Sequence, residues 1–171
     1  MKTLFLVRHA KSSWEDNRIS DFERPLNERG EHDAPLMAKI LREKNIEPEL
    51  IISSPAVRAL TTAKIFAEIF QYNSKNIIED ERIYEAGMKE LAAVVEEISD
   101  DYKNVMMFGH NPGISNFINL LGDQPIPDMP TCAVAGLQLK INSWSELERN
   151  CGKIILFEYP KKHKGPSPPL P

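Results

Sequence analysis

Two histidines and two arginines stand just past the ends of separate apolar runs. Arg8-His9 follows Thr3 to Val7, His110 follows Val105-Met106-Met107-Phe108 and one glycine, and Arg58 lies a few residues beyond Leu50-Ile51-Ile52-Ser53. Each run is short, continuous and made mainly of large apolar residues, the pattern of a strand buried on both faces. In open α/β sheets, ligands bind beyond the carboxyl ends of such strands, so the four side chains are expected at one edge of a sheet. Arginine's planar fork stays charged at any working pH and matches phosphate or carboxylate oxygens. A helix opening at Ser54-Pro55, where proline's missing donor is harmless, adds backbone N–H groups facing the same way. A histidine among fixed positive charges is disfavoured as imidazolium and presents a neutral, nucleophilic nitrogen. The reaction class this suggests is phosphoryl transfer through a phosphohistidine intermediate.

The elements that must hold these groups alternate along the chain. A polar stretch from Lys11 to Arg24 reads as a loop. Asn27 is a plausible helix cap, but Gly30 and Pro35 place the expected start of the first helix near Asp33, with its end near Lys44. A second helix runs from Pro55 to about Phe70, a small edge strand is expected at Asn76 to Ile78, and helices at Lys89 to Ser99 and Ile114 to Leu121 flank the Val105–Phe108 strand. Prolines 125, 127 and 130 mark a loop before two late strands, Val134 to Ile141 and Lys153 to Tyr159. Strands alternating with helices predict an α/β, three-layer sandwich: a mostly parallel central sheet with helices on both faces. Residues 1–160 form one domain, and the Pro- and Lys-rich segment 161–171 is expected to be a disordered tail.

Composition bounds the rest. With 171 residues, 42 % hydrophobic and 27 % charged, the chain is globular in type and long enough for one core. A formal net charge of −4 speaks against general binding of nucleic acid or anionic membrane. The apolar start, Leu4 to Val7, ends at Arg8-His9-Ala10-Lys11, too soon for a membrane span or a signal core, and a cytoplasmic protein is expected. Cys132 and Cys151 are too few for a disulfide framework, lack metal spacing and have no activating context for a thiol hydrolase. His9 and His110 have no carboxylate at ligand spacing, and neighbouring arginines would repel a cation, so neither metal nor cofactor is expected. There is no glycine-rich nucleotide loop, and Met106-Met107-Phe108-Gly109 lacks the aspartate of a phospho-accepting receiver.

LVRHAKSS at the start resembles the Arg-His signature of the histidine phosphatase superfamily, the phosphoglycerate-mutase-like group. SSPAVRALTTA from Ser53 resembles that family's second-arginine motif, and FGHNPG from Phe108 its second-histidine motif. Three such strings in order, at the ends of the right strands, are far more specific than any one of them. RPLNERG from Arg24, with GHNPG, looks most like the phosphohistidine phosphatase branch. The resemblance implies that His9 becomes phosphorylated, that Arg8 and Arg58 bind the phosphoryl oxygens, and that His110 donates to them. Arg24 corresponds to a phosphate-pocket arginine of that branch, although from the sequence an exposed loop cation fits equally well. Glu85 falls where some members keep a proton donor; a solvated carboxylate after a short strand fits as well. Two positions depart from the family pattern, Ala10 for a common glycine and Thr61 for a common glutamine. The resemblance implies a phosphatase that needs no metal, acting on a phosphohistidine-bearing protein such as a phosphotransfer domain. A small-molecule phosphomonoesterase and a non-catalytic phosphate-binding adaptor are the alternatives.

Overall fold

A computed structural model of the chain describes residues 1–164. Its strands are β1 (Lys2–Arg8), β2 (Leu50–Ser53), β3 (Ile78–Glu79), β4 (Asn104–Gly109), β5 (Val134–Leu139) and β6 (Gly152–Glu158). Its helices are α1 (Glu28–Glu43), α2 (Val57–Phe70), α3 (Met88–Glu96), α4 (Gly113–Leu121) and a single turn, α5 (Pro160–His163). The six strands form one sheet in the order β3-β2-β4-β1-β5-β6. The β3, β2, β4 and β1 ladders are parallel, while β5 runs antiparallel to both β1 and β6. This is the mixed α/β sandwich expected from the alternating pattern.

Alternation along β1 builds two cores. Leu4 and Leu6 join Leu91, Val94, Val95, Phe117 and Ile118 of α3 and α4 on one face. Phe5 and Val7 join Met37, Leu41, Phe66 and Ala67 of α1 and α2 on the other. With both faces covered, period-2 polar positions vanish from β1 and β4, which is why these strands read as continuous apolar runs. The register brings the strand ends level. Arg8 lies opposite Gly109 and Ser53 opposite Phe108, so β1, β4 and β2 end side by side. The His9 N–H donates to the Gly109 carbonyl at 3.1 Å, and the Ser54 N–H to the Phe108 carbonyl at 3.0 Å, extending that alignment one residue past the strands.

The expected start of α1 near Asp33 is corrected: the helix begins at Glu28, capped by the Asn27 side chain, which accepts from the Gly30 N–H at 2.9 Å. Gly30 belongs to that first turn because a Cβ there would lie 2.2 Å from the Lys11 carbonyl oxygen. The glycine permits close approach to the segment after His9 rather than breaking the helix. Pro35 gives up one N–H inside α1, yet the helix runs through it because Ala34, Met37, Ala38 and Leu41 are buried against the sheet.

The expected disordered tail from Lys161 is corrected as far as Lys164; its remaining residues, 165–171, lie outside those described. Lys162 and His163 both pair with the buried Glu158 carboxylate, and Lys164 Nζ lies 2.9 Å from Oδ1 of Asp33, a fully buried side chain on α1. A buried carboxylate is strongly unfavourable without counter-charge. Burial works against the charge on Asp33, but hydrogen bonds from Lys164 and His32 outweigh it and hold its pKa below the ordinary value. The basic cluster thus anchors the last turn to α1 and β6.

Candidate active site

His9 is the first residue after the central strand β1 and is 7 % exposed. Its Nδ1 lies 2.7 Å from the Ala10 carbonyl oxygen. A carbonyl only accepts, so Nδ1 carries the proton and Nε2 keeps its lone pair. The loop is braced from α2: Thr62 Oγ1 accepts from the Ala10 N–H at 3.0 Å and donates to the Arg58 carbonyl at 2.7 Å. Thr62 therefore ties the His9 loop to the Arg58 turn, one residue beyond the position, Thr61, where the family motif often has glutamine.

His110, the first residue after β4, packs its ring 5.2 Å from that of His9, centroid to centroid. Its Nε2 lies 2.8 Å from Ser54 Oγ, which already accepts from the Ala56 N–H at 3.2 Å. A hydroxyl can donate to an imidazole nitrogen or accept from it; with the Ser54 proton on Nε2, His110 carries its own proton on Nδ1, a buried atom with no partner among the described residues. Burial is the main reason that both imidazoles titrate low. For His9, burial together with Arg58, Arg8 and Arg24 outweighs the bond to Ala10 and brings the pKa to about 4. For His110, burial, His9, Arg58 and Arg8 outweigh Asp21 and bring it to about 3.

These values set a testable protonation state. Because both folded-state values lie below the ordinary 6.5, the unfolded chain takes up these protons first as pH falls. Stability should therefore decline as pH drops through that window, while the rings stay neutral. Nuclear magnetic resonance of imidazole nitrogens is expected to show both histidines neutral at pH 5.5 and protonated on Nδ1. In Ser54→Ala the His110 signal should shift toward a mixture of tautomers while His9 is unchanged. A His110 that titrates near 6.5, or an unaltered tautomer in Ser54→Ala, would contradict this assignment.

Arg8, the last residue of β1, donates from Nη1 to the Met129 carbonyl at 2.8 Å, and Asn111 Nδ2 donates to the same oxygen at 3.0 Å. Met129 is itself held by a 3.0 Å bond from its N–H to Ser115 Oγ on α4. Burial lowers the pKa of Arg8, opposed by Asp128. Arg58, in the first turn of α2, is 6 % exposed and donates from both terminal nitrogens to Asp21, at 2.6 Å to its carbonyl and 3.1 Å to Oδ2. Arg24 is 8 % exposed, so the reading as a solvated loop cation is not what forms. Its Nη1 donates to Ser12 Oγ at 2.7 Å and its Nε to Asp21 Oδ1 at 3.1 Å, and its guanidinium lies 3.5 Å from the centre of the Trp14 ring.

Three buried side-chain nitrogens among the described residues lack a partner: Arg8 Nε, Arg58 Nε and His110 Nδ1. Buried polar atoms are nearly always bonded, and an orphan calls for a reason. Here all three belong to the residues singled out for oxyanion contact, so the unpaired donors are concentrated where an anion would be held. Glu85 is exposed and takes a left-handed backbone, φ 58°. No hydrogen bond is recorded between it and His9, His110 or the arginines among the described residues.

Asp21 and Tyr84 were not among the residues singled out from the sequence. Asp21 accepts from Arg58, from Arg24 and, at 2.5 Å, from the Tyr84 hydroxyl. The Tyr84 ring in turn packs against those of His110 and Phe22, with centroids 5.6 and 5.2 Å away. The only sequence signal was position, since Asp21 sits three residues before Arg24 in a stretch without periodicity.

A mixed sheet whose adjacent strand ends carry an Arg-His pair, a second histidine and an arginine at a helix start defines an α/β protein with a cluster of anion-binding side chains at one sheet edge. Residues 4–112 match the histidine phosphatase superfamily (branch 1), and the chain belongs to that superfamily of hydrolases and mutases. An uncharacterized chloroplastic protein of Arabidopsis thaliana is 33 % identical over 153 residues, covering 85 % of this chain and 70 % of its own. Among solved structures, the protein named SixA from Agrobacterium tumefaciens superposes with a TM-score of 0.76 at 25 % identity, over 93 % of this chain and 98 % of the other. A protein histidine phosphatase SixA complexed with tungstate shares the fold with a TM-score of 0.81 at 21 % identity, over 95 % of this chain and 99 % of its own. No helix among the described residues is long and apolar enough to cross a membrane.

Proposed function

We propose that this chain is a phosphohistidine phosphatase working through a covalent phospho-His9 intermediate. The observation that carries this reading is the pinned tautomer of His9, its Nδ1–H on the Ala10 carbonyl, beside three orphaned donor atoms on Arg8, Arg58 and His110. His9 Nε2 attacks phosphorus in line as the P–N bond to the substrate imidazole breaks; the substrate ring, already protonated on its other nitrogen, takes the bonding pair and leaves as neutral imidazole. Water then attacks phospho-His9, the P–Nε2 bond breaks, and inorganic phosphate departs. Arg8, Arg24, Arg58 and the Nδ1–H of His110 hold the equatorial oxygens as charge develops. The positive charge comes from guanidinium groups, and no metal is required.

The substrate preference rests on likeness to the phosphohistidine phosphatase branch in RPLNERG and GHNPG, and on the names carried by the superposed SixA structures. The position of Glu85 supports it. An alkoxide leaving group benefits from a general acid, while a ring already protonated on its other nitrogen depends on one less, and Glu85 stands exposed rather than bonded within the cluster. The partner we propose is a phosphohistidine-bearing protein such as a phosphotransfer domain. Phosphate release from a phosphohistidine protein and from an aryl phosphate, side by side and without added metal, tests the reading. Faster release from phosphohistidine by orders of magnitude is expected. Comparable ester hydrolysis would assign a small-molecule phosphomonoesterase and make Glu85 the residue to replace. No release from either would favour a phosphate-binding adaptor.

A further inference from the structure

A carboxylate among the arginines of an anion site opposes, by plain Coulomb repulsion, the anion that the site would hold. Asp21 is nevertheless there, on a short 3-10 turn (Asp21–Glu23), with a half-exposed side chain. Each of its acceptors is committed. The backbone oxygen takes Arg58 Nη1, Oδ2 takes Arg58 Nη2 and the Tyr84 hydroxyl, and Oδ1 takes Arg24 Nε. With both terminal nitrogens of Arg58 on one residue, its guanidinium cannot rotate, and Nε is the donor left buried and unpaired. Arg24 is fixed in the same way, between Asp21, Ser12 and the face of Trp14.

We propose that Asp21 is a positioning residue: it locks Arg58 and Arg24 so that their remaining N–H groups meet the phosphoryl oxygens. This rests on the reading of the cluster as a phosphoryl pocket. Geometry explains why the repulsion is tolerated, because charge-assisted hydrogen bonds are directional and an unheld arginine has many rotamers to lose on binding. Tyr84 closes the arrangement by tying Asp21 to the wall of His110.

The test compares two variants of the full chain that carry the same charge. Asp21→Asn keeps one side-chain oxygen for Arg58 and Tyr84; Asp21→Ala keeps none and leaves Arg58 only the backbone carbonyl. Tungstate, a tetrahedral dianion, is the probe for calorimetry, with melting temperatures recorded alongside. Asp21→Asn should bind tungstate at least as tightly as the wild type, since repulsion is removed and the bracket is partly kept. Asp21→Ala should bind at least about fivefold more weakly than Asp21→Asn, and its kcat should fall by more than about tenfold with KM changed less than about threefold. Equal binding by the two variants would mean that Asp21 sets only charge, and the proposal fails. It fails also if the wild type does not bind tungstate. If the wild type binds tungstate yet releases phosphate from neither substrate, the functional reading is what fails, and the Asn-to-Ala comparison still decides the role of Asp21.

Discussion

Replacing His9 with alanine is expected to lower phosphate release at least about a thousandfold while leaving tungstate binding within about fivefold of wild type. The split follows from the division of labour in the cluster. In the proposed mechanism His9 supplies the bond-forming electron pair and Arg8, Arg24, Arg58 and His110 the oxyanion donors, and none of those four hydrogen-bonds to the His9 ring. The imidazole itself bonds only to the Ala10 carbonyl among the described residues. Loss of the ring therefore removes the nucleophile and leaves the anion site standing. Turnover within about tenfold of wild type would mean that water attacks the substrate directly and that no covalent intermediate forms.

Arg58→Lys is expected to cost about 10²- to 10³-fold in kcat, nearly as much as Arg58→Ala. A lysine keeps the charge, so an electrostatic role alone would spare most of the activity. Arg58 does two jobs at once, however: both Nη atoms engage Asp21 while Nε remains free. A single ammonium on a flexible stem reaches one of these positions at a time. Steady-state kinetics of the two variants decide the matter. Arg58→Lys retaining more than a tenth of wild-type kcat would reduce Arg58 to a point charge.

The residues at strand ends were legible because burial on both faces writes itself into sequence as continuous apolar runs, and β1, β4 and β2 are such runs. Parallel strands that end level need no further information to bring Arg8, His9, His110 and Arg58 together. Arg24 was legible as a motif but not as a position. Its burial depends on Trp14, Ser12 and Asp21, three residues of an aperiodic segment whose path is set by tertiary contacts. Asp21 and Tyr84 were illegible for the same reason: they meet across 63 positions of chain through loops on both sides. The early start of α1 was hidden by Gly30, whose role is to admit the Lys11 carbonyl, an approach visible only in three dimensions. The basic run at Lys161–Lys164 looked like a solvated tail because its partners, Asp33 and Glu158, are buried acids that the sequence presents as ordinary surface residues.

The mechanism stands or falls on a phosphorus–nitrogen bond to one named side chain. Rapid mixing of the protein with a phosphohistidine substrate, quenched in base within milliseconds and digested for mass spectrometry, looks for that bond itself, since phosphoramidates survive base and decay in acid. A transient phosphate is expected on the peptide carrying His9, at most one per chain, absent from His9→Ala and lost on acid treatment. Phosphate release that proceeds with no phosphorylated protein at any time point, or phosphate found on a residue other than His9, would contradict the mechanism.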